Sequence, residues 1–249
     1  MPESSVDLRK GLRGLGLWLA AGLVFSVLIV SGTIEKVRPS PRTLWVKGYA
    51  ELPVRADMAS WSTWLTCRGT RLAETYAILN AQQQIVETFL QTSGCSKAEI
   101  RWTPVNVTTY YRRTDKGIAT SEVEGYSLLQ TVQVESADVE RVERLAVASS
   151  RLIEQGIEIN SAPPAYFVST LDSHKIELLG AATRNALERA NQLATNSQSR
   201  VGRLCSANQG VFQITPRHST ETSDSGTYDT GSIDKTIKAV VTVEFALEP

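Results

Sequence analysis

Residues 44–67, LWVKGYAELPVRADMASWSTWLTC, are the stretch on which the fold turns. Residues 44–50 read as one strand. Pro53 lacks an N–H for a sheet ladder and punctuates it. Residues 54–67 then read as a second, longer strand. Trp61, Thr63, Leu65 and Cys67 share one face of it, and Ser60, Ser62 and Trp64 the other. A chain that opens on two consecutive strands of this kind predicts an antiparallel sheet with one face covered.

The segments that follow supply the cover. Thr70 is a reasonable N-cap for a helix reaching Thr92. Leu72, Tyr76, Leu79, Val86 and Leu90 recur at helical spacing, and Ile78, Ile85 and Phe89 widen the stripe. Gly94 suits a left-handed cap. Residues 100–111 are rich in strand formers, but Pro104 makes them an edge or bulged strand. Residues 124–134 are the expected hairpin partner. Ser136 is expected to cap a second helix with Val139, Val142, Leu145, Ala146, Leu152 and Ile153 inward, stopped by Gly156. Residues 157–169 form a strand region interrupted by Pro163-Pro164. A third helix is predicted over 173–197, with a face of Ile176, Leu179, Thr183, Ala186, Ala190 and Leu193. Strands over 201–214 and 238–247 complete the chain. The polar segment 217–234 reads as a loop, and its part 220–232 is expected to be mobile and dispensable for folding. Strand pairs separated by single helices predict an α+β fold, a mostly antiparallel sheet with helices packed on it.

Ahead of this domain, residues 14–34 (GLGLWLAAGLVFSVLIVSGTI) carry no charge. As a helix they would extend about 31 Å, enough for a bilayer core of about 30 Å. Arg9, Lys10 and Arg13 precede them and place that end in the cytoplasm. Two readings stand. One is an uncleaved anchor. The other is a cleaved signal peptide, with the small residues Ser31 and Gly32 near the cut. Both put the main domain in the periplasm or outside. The expected organisation is a cytoplasmic tail over 1–13, a transmembrane anchor over 14–34, a linker over 35–43 and an extracytoplasmic domain over 44–249. Residues 1–13 would then lie on the cytoplasmic side of the inner (cytoplasmic) membrane, which the chain would cross once.

Composition narrows the function. The chain has 249 residues, 26 Lys plus Arg against 26 Asp plus Glu, and a pI near 6.8. This balance gives no electrostatic case for nucleic acid. Only two histidines are present, so a histidine-rich metal site is excluded. Cys67, Cys95 and Cys205 include no Cys-x-x-Cys pair. They are open to three readings: small packing residues, one structural disulfide, or a redox-active thiol.

Several stretches resemble the SIMPL-domain family of bacterial envelope proteins. They are residues 46–51 (VKGYAE) and 54–57 (VRAD), 182–186 (ATRNA), Gln209-Gly210 within 202–212, and 240–243 (VVTV). The resemblance spans residues 43–249. It implies a periplasmic or membrane-anchored α+β protein without an agreed enzymatic activity. Some such proteins are linked to oxidative-stress protection, and some build ring-like or channel-like oligomers. The chain departs from the pattern in the long polar loop before its last strand, and at Asp172 and His174. The resemblance brings no catalytic residues with it.

The chemical constellations are weak. Asp172, Ser173 and His174 include all three side-chain types of a hydrolase triad. Consecutive positions rarely form one, however, and Asp-Ser ahead of a helical pattern is an ordinary capping signal. No Gly-x-Ser-x-Gly elbow is present. His218 lies in the polar loop and reads as solvated. The glycines of residues 11–16 belong to the membrane flank rather than to a phosphate loop. Trp45, Trp61, Trp64 and Trp102 read as packing residues before a ligand platform. Glu122 and Glu124 are a carboxylate pair with no evident supporting shell. No catalytic, cofactor-binding or metal-binding residue is therefore assigned, and no cofactor. The expected role is non-catalytic, through self-assembly as a homo-oligomer or through binding. The alternative is an extracytoplasmic hydrolase with a non-standard site.

Overall fold

A computed structural model describes residue 18, residues 22–27 and residues 42–248. Its strands are β1 (Thr43–Arg55), β2 (Met58–Gly69), β3 (Ile100–Trp102), β4 (Asn106–Arg113), β5 (Ala119–Ser136), β6 (Ile159–Ser161), β7 (Ala165–Phe167), β8 (Arg200–Gln209), β9 (Gln213–Pro216), β10 (Thr227–Tyr228) and β11 (Asp234–Glu248). Its helices are α1 (Leu72–Thr92), α2 (Val139–Ala148), α3 (Arg151–Glu154) and α4 (Leu171–Asn196). The architecture is α+β with largely antiparallel pairing, as the strand pattern predicts. Residue 18 and residues 22–27 are helical. Among the described residues no helix is long and apolar enough to cross a membrane. The rest of the span expected over 14–34, the tail and most of the linker lie outside the described residues.

Two sheets are present rather than one. The first runs β1-β11-β9-β10, with β8 also on β11. The second runs β3-β5-β2-β6, with β4 on β5 and β7 on β2. Two compact units divide the chain. One is Val46–Arg189 with Ala207–Val243. The other is Ala190–Ser206 with residues 42–45 and 244–248.

Strand β2 follows its alternation closely. Trp61, Thr63, Leu65 and Cys67 are buried and lie opposite Val134, Val132, Gln130 and Leu128 of β5. Helices α1 and α2 cover this face with Leu79, Val86, Leu90, Val142 and Leu145. Each such side chain contributes ~1.5–3 kcal/mol on burial, so this core dominates the stability of its unit.

Several expectations are corrected. Pro53 does not end the first strand, because β1 continues to Arg55. It lies on the outermost strand of its sheet, where a missing N–H costs no ladder bond. Arg71 rather than Thr70 is the N-cap of α1, without a side-chain bond. Leu72, Tyr76, Ile78 and Ile85 are exposed, and Thr75 is buried in their place. Asp138 rather than Ser136 caps α2, its Oδ1 accepting from the Arg141 N–H at 2.9 Å. The predicted second helix breaks at Ser149 and Ser150, whose hydroxyls donate to the carbonyls of Ala146 and Val147. The strand expected over 201–214 is two strands parted at 210–212. A Cβ on Gly210 would sit 2.9 Å from the Val240 carbonyl oxygen.

Helix α4 begins earlier than expected and buries Ala186 and Ala190 as expected, but on a face that is rotated from the one predicted. Leu178, Ala182, Ala186, Ala190 and Ala194 are buried, whereas Ile176, Thr183 and Leu193 are exposed. The alanines allow a close approach. A Cβ on Gly48 of β1 would lie 2.0 Å from the Ala182 carbonyl oxygen and 2.8 Å from the Ala186 Cβ. Asn185 Oδ1 accepts from the Tyr49 N–H at 3.1 Å, and Arg189 donates to the Lys47 carbonyl. The stretches VKGYAE and ATRNA thus meet each other, and α4 occupies backbone groups along the β1 edge.

The polar segment 217–234 is not a free loop. Tyr228 pairs in β10 with Ile214, Asp229 N–H donates to the Ile214 carbonyl, and Thr230 accepts from the Tyr166 N–H. Gln213 both donates to and accepts from the Ser223 backbone. Lys235, fully buried, places its Nζ 2.7 Å from the Asp229 carbonyl and 3.1 Å from its carboxylate. The scarcity of apolar residues over 220–232 predicts a dispensable loop, but backbone bonds, one buried ion pair and Ile233 against the core hold the segment.

Candidate functional site

Two surfaces stand out within the larger unit. The first is an open cleft of about 640 Å³. Its walls come from α2 (Glu143, Ala146, Val147), from Pro163-Pro164 and Tyr166, and from Arg217 and residues 231–234. The two prolines interrupt the strand region as the sequence suggested, and the short strands β6 and β7 flank them. An arginine braces one side: Arg55 reaches Glu140 in the first turn of α2 and, at 3.3 Å, Asp234 at the start of β11. Its hydrogen bond to Glu140 raises the guanidinium and lowers the carboxyl. Behind the cleft, burial pushes the Asp229 carboxyl up. Bonds from Ser232, Lys235 and the Gly231 N–H outweigh that and hold it below the ordinary range.

A second ionic centre joins the segment that follows α1 to α2. Arg141 binds Glu99, Ser136 and the Gly94 carbonyl. Burial opposes ionisation of Glu99. Bonds from Ser136 and Ser96, with the charge of Arg141, bring its carboxyl down to about 2. These pairs link neighbouring elements, and none joins a nucleophile to a base. No sequence pattern singles out Arg55 or Arg141, because Glu140, Asp234 and Glu99 are distant along the chain, nor Asp229, whose pair with the nearby Lys235 is marked only by its burial.

The second surface is the hairpin of β4 and β5. From residue 106 to 124 every side chain is exposed except the half-buried Thr109 and Thr120. Both faces therefore meet solvent, and they carry Val107, Tyr110, Tyr111, Ile118 and Val123. Glu122 pairs with Arg112 at 3.0 Å, while Glu124 has no ion pair among the described residues.

The remaining candidates are scattered. Asp172 meets Lys175 at 3.1 Å, Ser173 donates to the Thr170 carbonyl, and His174 Nε2 lies 3.1 Å from Thr170 Oγ1. Ser173 and His174 both engage Thr170, Asp172 engages Lys175, and none of the three bonds to another, so no triad forms. The capping expected of Asp172 and Ser173 is not seen either, because both lie inside the helix. His218 is exposed with φ of 66°. Trp61 is buried and donates to Ser161, Trp64 lies on the other face of β2, and Trp45 is exposed on β1. Cys67, Cys95 and Cys205 are all free, so the disulfide reading is not met. Burial raises the thiols of Cys67 and Cys95, which opposes thiolate chemistry there. Among the described residues no group of His, Cys, Asp and Glu is arranged to hold a metal ion.

Comparison with known proteins adds a family. No curated protein matches the chain. The crystal structure of an amidase of the hydantoinase/carbamoylase family from Burkholderia phymatum is 15% identical over 53% of this chain and 33% of its own, with a TM-score of 0.26. That likeness is too slight to extend either fold or function. Residues 44–245 match the model of SIMPL, described as a protein of unknown function (DUF541), and the chain therefore belongs to the SIMPL family.

Proposed function

We propose that the chain is an envelope protein held in the inner membrane through residues 14–34. Its SIMPL domain lies outside the cytoplasm and works by self-assembly rather than catalysis. The observation that carries the reading is the β4–β5 hairpin, exposed on both faces and studded with large apolar residues. Monomeric soluble proteins rarely present such surface without a use for it. The engagement of Asp172 with Lys175, and of Ser173 and His174 with Thr170 rather than with one another, supports a non-catalytic role. Leu23, Val24, Phe25 and Val27, helical and exposed, suit a lipid-facing segment. The positive flank of Arg9, Lys10 and Arg13 supports the orientation.

Native mass spectrometry of the full chain in mild detergent tests the assembly. Masses of two or more chains are expected, and a monomer at all concentrations overturns it. A reporter fused after Pro249 tests the topology, and activity only in the cytoplasm overturns that part.

A further inference from the structure

The hairpin has a polarity that selects its partner. Val107 lies opposite Leu128, which is fully buried, so it shares the sheet face that α1 and α2 cover further along. Along β4 the alternation from Val107 keeps Tyr111 on that same face, and a register shift after Tyr110, where β5 carries the extra residue Glu124, brings Val123 opposite Tyr111. Val107, Tyr111 and Val123 are 46%, 47% and 45% exposed. The apolar face of the core therefore continues, uncovered, along the hairpin.

The charges are divided by strand. β4 ends on Arg112 and Arg113, whereas β5 carries Glu122 and Glu124 beside Val123. Arg112 and Glu122 pair within the hairpin. Arg113 and Glu124 have no ion pair among the described residues. A strand basic at one end, beside an acidic strand, is the complement of itself under a twofold rotation. A second copy laid across the hairpin brings Arg113 against the other copy's Glu124, twice, around the apolar face. A differently charged partner or an anionic lipid surface would satisfy only one of the two strands.

We propose that the β4–β5 hairpin is the dimer contact of this protein. It packs the Val107–Tyr111–Val123 face of two copies together, with reciprocal Arg113–Glu124 pairs fixing the register. This rests on the self-assembly reading above and names its surface. An interface of this kind is isologous, so each contact occurs twice.

The test uses charge exchange in the full chain in detergent, read by native mass spectrometry and sedimentation. Arg113→Glu alone and Glu124→Arg alone each place like charges together in both contacts, and each is expected to weaken association by about tenfold or more. Mixing the two variants restores opposite charges at both contacts and is expected to recover it as a heterodimer. Both positions are exposed strand residues, and circular dichroism melts of each variant check the fold. Val123→Thr, which keeps strand propensity, is expected to weaken association without charge change. If the unaltered chain assembles but both charge variants assemble equally well, the hairpin contact is wrong and self-assembly stands. Variants that weaken association but fail to recover on mixing also overturn the reciprocal contact. If the unaltered chain is monomeric throughout, both are wrong.

Discussion

Asp229→Ala removes the carboxylate that faces Lys235. The Lys235 side chain is 1% exposed and that of Asp229 is 14% exposed. After the substitution, Nζ keeps only the residue 229 carbonyl, at 2.7 Å in the native chain, and its charge is left without a counter-ion. Breaking a buried pair by removing one partner costs ~3–5 kcal/mol. The partial exposure of Asp229 lets water compensate in part, which places the loss near the lower end. The Gly231 N–H, 2.9 Å from Asp229 Oδ1, also loses its acceptor, a further ~1 kcal/mol. A total of about 3–4 kcal/mol lowers Tm by roughly 6–16 °C for a domain of this size. Adding Lys235→Met removes the stranded charge and recovers part of the loss. The pH dependence has a definite sign. Asp229 titrates below its unfolded value of 3.8, so its contribution is complete above that value and disappears as pH falls through the lowered one. Thermal melts and urea titrations of the full chain measure all of this. A single variant melting within about 2 °C of the native chain refutes the reasoning, because segment 217–234 would then not be anchored by the pair.

Three further outcomes follow from the same contacts. Gly48→Ala forces a methyl group to 2.0 Å from the Ala182 carbonyl oxygen, so α4 must shift, at a cost of ~1–3 kcal/mol in urea unfolding. Glu99→Gln costs about 3 kcal/mol at neutral pH. The carboxyl falls from 4.5 to about 2 on folding, so the difference from the native chain shrinks as pH drops from 4.5 towards 2, as urea midpoints across that range will show. Asp138→Ala removes the side-chain cap of α2 and costs ~0.5–2 kcal/mol, whereas Thr70→Ala, at a position that caps nothing, leaves Tm unchanged.

Much of the second sheet could be read from the chain alone. The alternation of Trp61, Thr63, Leu65 and Cys67 marks a strand because a half-buried strand must place every second side chain inward, whatever its neighbours do. Pro104, Gly94 and Gly156 mark breaks for an equally local reason: their own backbone chemistry forbids or permits a conformation. Pattern of this kind is carried by each residue independently of the rest of the fold. Helix α4 shows where it stops. Its leucines, isoleucine and alanines support more than one apolar face, and contact with Gly48 selects the alanine face because only small side chains permit that approach. Segment 217–234 escaped for a different reason. It is held by backbone N–H and carbonyl groups, which every residue possesses, and by an Asp229–Lys235 pair that looks like any two charges in a loop. Asp172, Ser173 and His174 resemble a catalytic group in sequence, yet adjacency along a helix points successive side chains about 100° apart, and they turn to Lys175 and Thr170 rather than to one another. Side-chain periodicity was therefore enough for elements that pack by alternation, whereas close helix contact and backbone anchoring arose only when distant segments met in space, and the Asp229–Lys235 pair, six residues apart, is set off from ordinary surface charges only by its burial.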